Sequence, residues 1–143
     1  GKFGVITGDG RSIADHGRTF DAILADVPCT GLGALRRRPE VRWRRTIKDL
    51  APLLQLQMEL SDAAISVLNP GGYFGYATCS PHFAETTGQV RQILKSHPEL
   101  SLVDINSYLP ANLLDATREG ALSLWGHRHN TDSMFLAIFK RAN

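Results

Sequence analysis

The sequence contains few cysteines and few aromatic residues, and it has no long apolar run. Two cysteines stand far apart among 143 residues, so the chain lacks the dense cysteine pattern of a small secreted disulfide scaffold. No segment approaches the length needed to cross a bilayer, and there is no apolar signal segment. We therefore expect a cytoplasmic protein with two free thiols that is not inserted in a membrane.

A large excess of charge of either sign is also absent. The formal net charge is +2, and the fractions of hydrophobic (43%) and charged (21%) residues are typical of one globular domain with a buried core. The charge is nevertheless unevenly distributed, because one short segment holds six arginines and a tryptophan: Arg36, Arg37, Arg38, Arg42, Trp43, Arg44 and Arg45. This cluster favours a polyanionic partner, and the alternative is a solvated basic surface.

The two cysteines each follow a short apolar run. Cys29 lies in Asp-Val-Pro-Cys-Thr-Gly at 26–31, and Cys79 lies in Tyr-Ala-Thr-Cys-Ser-Pro at 76–81. Because such runs are typical of buried strands, both thiols are expected just past the carboxyl ends of strands, where open α/β sheets place their chemistry. A cysteine that only fills the core is the alternative, and the repeated context favours reactive thiols.

Strand and helix patterns alternate along the chain, which is typical of βαβ units around a parallel sheet. Strands are predicted at residues 3–7, 20–25, 73–78, 100–103 and 134–139. Helices are predicted at residues 46–68 and 84–97, where apolar residues recur at helical spacing. Residues 107–129 lack firm periodicity and are predicted to be a long irregular segment. The expected fold class is α/β.

Several motifs follow one another in a specific order. They are Asp-x-Pro-Cys after one strand, the arginine-rich segment with Pro39 and Trp43, Gln57 in a helix, Pro-Gly-Gly at 70–72, Ala-Thr-Cys-Ser at 77–80 and His129-x-x-Asp132. This succession resembles the RNA (cytosine-5) methyltransferases, and within them the bacterial enzymes that act on 16S ribosomal RNA. The resemblance implies an S-adenosylmethionine-dependent methyltransferase with an RNA partner, expected to be ribosomal.

The resemblance also implies roles for single residues. Cys79 is the expected nucleophile that bonds to carbon 6 of cytosine, a role to which a thiolate is suited. Cys29 is expected to assist release of the covalent adduct. Asp26 is expected to hydrogen-bond the pyrimidine near nitrogen 3, although an aspartate after a strand can also cap a turn. The arginine segment is expected to bind RNA phosphates, and Trp43 is expected either to stack on an unpaired base or to pack under the loop. No metal site is expected, and His129 and Asp132 receive no role.

Enzymes of this family bind S-adenosylmethionine at a Gly-rich turn, and no such turn precedes Gly8 in the sequence. The turn at 8–10 matches the family position of an aspartate near the adenine, so Asp9 and Asp26 are the expected cofactor contacts. We expect residues 1–143 to be the C-terminal catalytic part of the methyltransferase domain. The expected fold is a partial Rossmann-like class I sheet that lacks the first two strands and the main cofactor loop, with weak or no activity alone. The open edge of such a sheet favours self-association.

Two other functions remain open at this point. The first is an amino methyltransferase that acts on an exocyclic nitrogen, which uses no covalent thiol and would leave Cys79 without a catalytic role. The second is a noncatalytic RNA-binding module that retains a methyltransferase scaffold. A covalent adduct between Cys79 and a cytosine would discriminate the cytosine-5 enzyme from both.

Overall fold

The computed structural model describes residues 4–143, and six strands in this range form one mixed sheet. The strands are β1 (Phe20–Asp26), β2 (Leu68–Thr78), β3 (Leu100–Leu102), β4 (Thr117–Arg118), β5 (Ala121–Leu124) and β6 (Met134–Arg141). The α-helices are α1 (Val41–Arg44), α2 (Leu50–Ser66), α3 (Thr87–Ser96) and α4 (Gly126–His129). Short 3₁₀ helices cover Gly10–His16, Leu32–Ala34, Ile47–Asp49, Phe83–Glu85, Ile105–Tyr108 and Ala111–Ala116.

Most of the predicted elements are confirmed. The strands predicted at 20–25, 73–78, 100–103 and 134–139 correspond to β1, β2, β3 and β6, and the two predicted helices correspond to α2 and α3, each preceded by a 3₁₀ turn. The strand predicted at 3–7 is wrong for residues 4–7, which are irregular, and Phe3 lies outside the described residues. Val5 and Ile6 are 94% and 62% exposed, so no neighbouring strand in the described part of the chain is in place to pair with them.

The sheet is mixed, so the prediction of a parallel sheet is correct for only one pair of strands. β1 and β2 are parallel, whereas β6 is antiparallel to β2, β3 and β5. The reason lies in the connections: the long helix α2 carries the chain back between β1 and β2, while a short link joins the neighbours β5 and β6. The strand order is β1-β2-β6-β5-β4, with β3 paired to the end of β6. The α/β class is confirmed.

The segment at 107–129 is more regular than predicted, because β4 and β5 form a hairpin within it. The two residues between the strands, Glu119 and Gly120, have φ angles of 51° and 81°. Two consecutive positive φ angles are typical of the type I′ turn that joins tight hairpins. Asparagine or aspartate is the usual first residue of this turn, and a glutamate in that position concealed the hairpin in the sequence.

The core lies between the sheet and the helices α2 and α3. Phe74 and Tyr76 of β2 and Phe139 of β6 are fully buried, and Ile65 of α2 and Ile93 of α3 pack against them. The start of the α2 region is set by a capping box, in which the backbone N–H of Thr46 donates to the Asp49 carboxylate at 2.7 Å. The packing of α2 and α3 on β2 fixes the position of the loop that follows β2.

The edge strand β1 is less buried than its apolar sequence predicts. Its neighbour in the described residues is β2 alone, and Leu24 is 69% exposed. Ile23 and Ala25 point the other way and pack against the core. The carboxyl ends of β1 and β2 lie side by side, with Asp26 opposite Ala77.

Candidate active site

The two cysteine thiols meet at the carboxyl ends of β1 and β2. Because these strands are neighbours and parallel, the loops that follow them leave the sheet at the same edge. The Sγ atoms of Cys29 and Cys79 lie 3.4 Å apart, and both cysteines are free. Cys29 is 8% exposed, whereas Cys79 is half-buried. The structure therefore brings together the two thiols that the sequence singled out, with Cys79 the more accessible of the pair.

The thiols border a cavity of about 480 Å³, here called the thiol cavity. A volume of this size is within the range of small-molecule sites and exceeds the space that one water molecule needs. The cavity is lined on one side by the loop after β1, on another by Cys79, and on its outer side by three residues of the arginine segment: Arg37, Arg38 and Arg45. Asp26 also lines it, and its side chain is exposed.

The thiol of Cys79 is held in its neutral form by its surroundings. Burial raises the pKa of this thiol from 9.0 to about 11, and the hydrogen bond and charge of Cys29 and the charge of Asp26 act in the same direction. A thiolate is the nucleophilic form of cysteine, so the proton of Cys79 has to leave when its sulfur forms a bond. In the structure as it stands, Cys79 is poised by position and not by a low pKa.

Gly33 allows the two cysteine loops to approach each other closely. Its N–H donates to the carbonyl of Cys79 at 2.9 Å, and its own carbonyl accepts from the N–H of Ser133 at 3.0 Å. A Cβ at this position would lie 2.1 Å from the Ser133 carbonyl oxygen and 2.7 Å from that of Cys79. Glycine is therefore required where three loops meet. The sequence showed Gly33 only as one glycine among 13, so its role was missed.

Glu85 lies directly beneath both loops and is fully buried. One carboxylate oxygen accepts from the N–H of Thr30 at 2.8 Å, and the other accepts from the hydroxyls of Thr30 at 2.5 Å and Ser80 at 2.6 Å. Thr30 follows Cys29 and Ser80 follows Cys79, so a single carboxylate contacts the residue after each cysteine. Glu85 was missed in the sequence because glutamate near a helix start is common. Its position six residues after Cys79, before an apolar helix, is the available signal.

Two further side chains complete this buried cluster. Gln57 of α2 donates to the Pro28 carbonyl at 3.0 Å and to Glu85 at 3.1 Å. The Tyr76 hydroxyl donates to the Glu85 carbonyl at 2.8 Å and to Gln57 at 3.1 Å, and burial together with the Glu85 charge raises the pKa of Tyr76. We call the five residues the inner network: Thr30, Gln57, Tyr76, Ser80 and Glu85. Gln57 was part of the sequence resemblance without a role, and it now has a structural one.

The arginine segment, residues 36–45, lies on the solvent side of the same loops. All six arginines and Trp43 are exposed, and Trp43 is 82% exposed with the Arg42 guanidinium 5.6 Å from its ring centroid. Arg37 donates to the buried carboxylate of Asp132 at 2.7 Å, which lowers the pKa of that carboxyl. Asp132, which received no role from its sequence, thereby joins the arginine segment to the start of β6.

Asp9 and His129, the remaining residues that the sequence singled out, lie outside the thiol cavity. Asp9 does not line the thiol cavity: it borders a separate cavity of about 370 Å³ and caps the helix Gly10–His16. Both of its carboxylate oxygens accept hydrogen bonds from Arg11, which lower the pKa of Asp9 to about 2. His129 accepts from the Trp125 N–H through Nδ1 at 2.9 Å, a contact that shapes its own loop.

Within residues 4–143, no group of three or more His, Cys, Asp or Glu side chains is arranged to hold a metal ion. No helix in the same range combines the length and the apolar character that a bilayer crossing needs.

Known proteins resemble the chain along most of its length. It is 51% identical over 134 residues to "Putative methyltransferase Rv1407" of Mycobacterium tuberculosis, covering 93% of this chain and 29% of that protein. It is 43% identical over 103 residues to ribosomal RNA small subunit methyltransferase B of Salmonella agona, covering 71% of this chain and 24% of the relative. The chain thus spans less than a third of the curated relatives that it matches.

A solved structure shares the fold described above. NSun6 from Pyrococcus horikoshii, determined with SFG, superposes with a TM-score of 0.80 and 27% sequence identity over 96% of this chain and 34% of that one. The profile of the family described as 16S rRNA methyltransferase RsmB/F matches residues 2–140. The ordered motifs, the methyltransferase-like sheet and this match lead to one conclusion: the chain belongs to the 16S rRNA methyltransferase RsmB/F family.

Proposed function

We propose that the protein containing this chain methylates carbon 5 of a cytosine in 16S rRNA, with S-adenosylmethionine as methyl donor and Cys79 as covalent nucleophile. The observation that carries the proposal is the pair of free thiols 3.4 Å apart at the mouth of one cavity. A structural cysteine pair has no need of an open cavity bordered by arginines. The family match supports rRNA as the substrate. Methylation at carbon 5 and the nucleophilic role of Cys79 are what the proposal adds to that match.

Carbon 5 of cytosine becomes nucleophilic only after a group has added to carbon 6. In the proposed reaction Cys79 gives its proton to a base, its sulfur forms a bond to carbon 6, and the ring electrons move toward carbon 5 and nitrogen 3. Carbon 5 would then take the methyl group that bound S-adenosylmethionine supplies, and S-adenosylhomocysteine would leave. A base removes the carbon 5 proton, the bond between sulfur and carbon 6 breaks, and Cys79 is restored. Its greater exposure than Cys29 supports Cys79 in this role.

Cys29 is proposed to act in the release of the adduct. Its sulfur lies in contact with that of Cys79, so it is close to the carbon–sulfur bond that has to break. The side-chain amide of Gln57 donates a hydrogen bond to the Pro28 carbonyl, which fixes the backbone just before Cys29. A thiol that is itself 8% exposed is suited to local proton exchange beside Cys79 and poorly placed for the first attack on a large RNA.

Asp26 is proposed to hydrogen-bond the bound pyrimidine near nitrogen 3 and to contact the methyl donor. Its side chain is exposed at the end of β1, lines the thiol cavity and has no hydrogen-bond partner among residues 4–143, so its acceptors are available to a ligand. This arrangement fits a group that carries an ammonium or amino donor. Asp9 fits less well, since Arg11 occupies both of its carboxylate oxygens. Its contact to the adenosyl group remains a prediction that requires Arg11 to move.

The RNA itself is proposed to lie along the arginine segment. Arg37, Arg38 and Arg45 border the thiol cavity, so phosphates bound there would flank a nucleotide whose base is turned into the cavity. Trp43 presents an open ring face on which a neighbouring base can stack. The methyl donor is supported by the family and by the NSun6 structure, which was solved with SFG, an analogue of S-adenosylmethionine.

The test is a mechanism-based trap in the full-length protein. A 16S rRNA transcript that contains 5-fluorocytosine is incubated with S-adenosylmethionine, and covalent complexes are counted on a denaturing gel and mapped by mass spectrometry. Fluorine at carbon 5 cannot leave as a proton does, so the adduct persists. We expect an adduct at Cys79, none with Cys79→Ser, and slower release of an unmodified-cytosine adduct with Cys29→Ser.

Two outcomes would contradict the proposal and point elsewhere. Methyl transfer that survives Cys79→Ser would support an amino methyltransferase. RNA binding without an adduct or methyl transfer in the unmodified protein would support a noncatalytic RNA-binding module. The Cys29→Ser variant is the matched control, because it removes an equal sulfur atom from the same cavity.

A further inference from the structure

We propose that Glu85 is a positioning residue that sets the distance between the two cysteine thiols. The inference rests on the proposed function only for the reason why that distance matters. Its basis is the pair of contacts described above, in which one buried carboxylate accepts from Thr30 and from Ser80. These residues directly follow Cys29 and Cys79, so the carboxylate holds both loops from the same point.

The carboxylate is fully satisfied by neutral donors. Oε1 accepts from the Thr30 N–H and from Gln57 Nε2, and Oε2 accepts from two hydroxyls. Within residues 4–143 no lysine, arginine or histidine forms an ion pair with Glu85. A buried acid without a cationic partner is expensive unless every acceptor is used. An apolar residue at position 85 would avoid that cost. The acid is therefore explained by the hydrogen bonds that its two oxygens make to the cysteine loops.

The rest of the inner network keeps Glu85 itself in place. Its backbone carbonyl accepts from the Tyr76 hydroxyl at the end of the central strand, and Gln57 reaches it from α2. The hydroxyl of Ser80 also accepts from the N–H of His82 at the start of the turn that carries Glu85. Movement of either cysteine loop is therefore opposed by contacts to β2, α2 and this turn at once. Glu85 therefore acts on the Sγ separation of 3.4 Å together with two direct contacts between the loops, the Gly33 N–H bond to the Cys79 carbonyl and the 3.2 Å approach of the Thr30 and Ser80 hydroxyls.

Replacement by glutamine and by alanine is expected to give different results. In Glu85→Gln the amide oxygen can take the place of Oε1, and the amide NH₂ can donate to the Thr30 and Ser80 hydroxyls, which both donate and accept. This variant preserves the links to both loops. Glu85→Ala removes every link through the carboxylate and leaves the direct contact of the Thr30 and Ser80 hydroxyls and the Gly33 N–H bond to the Cys79 carbonyl. Tyr76→Phe is the matched control, because it deletes a buried hydrogen bond of the same cluster without touching Thr30 or Ser80.

The readout is the rate at which Cys29 and Cys79 form a disulfide when diamide is added. The two thiols lose two protons and two electrons to diamide, and an S–S bond of about 2.05 Å forms. This rate depends on how often the two sulfur atoms meet, and it needs neither RNA nor methyl donor. We expect Glu85→Ala to slow it about tenfold or more, since a misplacement of 1 Å can have larger effects. Glu85→Gln and Tyr76→Phe should form the disulfide at nearly the rate of the protein without substitutions.

Equal slowing by Glu85→Ala and Tyr76→Phe would overturn the proposal, because it would show a general loss of stability. Unchanged rates in all variants would overturn it as well. Thermal unfolding is followed in parallel, and if Glu85→Ala does not fold, Ser80→Ala and Thr30→Val remove one link each. Methyl transfer by Cys79→Ser would defeat the proposed function while leaving the disulfide result intact, so the two failures are distinguishable.

Discussion

The inner and outer sides of the cysteine loops differ in almost every physical respect. On the inner side, the inner network is buried, its donors and acceptors are paired, and Glu85 is the one carboxylate in it. On the outer side, the arginine segment is exposed and its charge faces solvent. The inner side fixes atoms relative to each other, because hydrogen bonds in a buried environment are strong and directional. In the proposed function the outer side attracts a large polyanion, for which long-range charge is sufficient.

The division also explains why the chain shows a reactive geometry without a low thiol pKa. The inner side excludes water from the sulfur atoms, which raises the pKa of Cys79, while the arginines are too exposed to reverse this effect. The inner side therefore fixes the position of the thiols, and neither side lowers the pKa of Cys79. Substitutions on the inner side, on the outer side and at the point where the two sides meet test this difference.

The largest effect is expected at Gly33, where the two sides meet. Gly33→Ala places a methyl group 2.1 Å from the carbonyl oxygen of Ser133 and 2.7 Å from that of Cys79, so the backbone has to shift. We expect a loss of about 3 kcal/mol or more in the free energy of unfolding, measured by urea denaturation. Gly8→Ala is the control, since nothing lies within 4 Å of a Cβ at that position. Equal stability of the two variants would contradict the close approach described here.

An intermediate effect is expected from the inner side on thiol ionisation. The alkylation rate of Cys79 by iodoacetamide should rise with pH through about 11, and Cys29→Ala should move this midpoint down toward 9.0. Because the folded-state pKa of the thiol is raised, folding stability should be fully present below pH 9 and should fall as the pH rises toward 11. A midpoint unchanged by Cys29→Ala would show that Cys29 does not influence its neighbour.

The smallest effect on the fold is expected on the outer side. Among residues 4–143, Arg42 and Arg44 have no acidic partner, so Arg42→Gln and Arg44→Gln should leave the free energy of unfolding unchanged. Each should reduce the slope of log RNA affinity against log salt by about 0.7 to 0.9, in proportion to one lost phosphate contact. Arg91→Gln on α3 is the matched control. An equal change in slope for all three variants would show that RNA affinity is not localised to the arginine segment.

Much of the fold was predictable from local pattern, and the exceptions have physical causes. β1, β2 and β6 each contain a short apolar run, and α2 has a helical repeat and follows a 3₁₀ turn that starts with a capping box, so short stretches of sequence specify them. The orientation of β6 depends on which strand it meets, and the hairpin at Glu119 and Gly120 depends on a turn with an unusual first residue. Neither feature is present in the local sequence.

The same division holds for the site. Cys29, Cys79 and Asp26 were identified from motifs, because their neighbours in sequence are characteristic. Gly33 and Glu85 were missed, because their importance comes from contacts with loops that are 46 and 55 residues away in the chain, at Cys79 and Thr30. Asp9 was placed by its motif near a cofactor, and its carboxylate is occupied by Arg11 in the structure.

The amino-acid sequence by itself determined which residues are proposed to carry the chemistry: two thiols and an acid after apolar strands, and a basic segment beside them. The tertiary structure decided how they act together. Parallel pairing of β1 and β2 places the two strand ends at one edge, and the Gly33 backbone bond and a buried carboxylate between the loops hold together the segments whose sulfur atoms lie 3.4 Å apart. The physical reason is that residue type is a local property, whereas distance, burial and pKa arise only when segments far apart in the chain pack against one another.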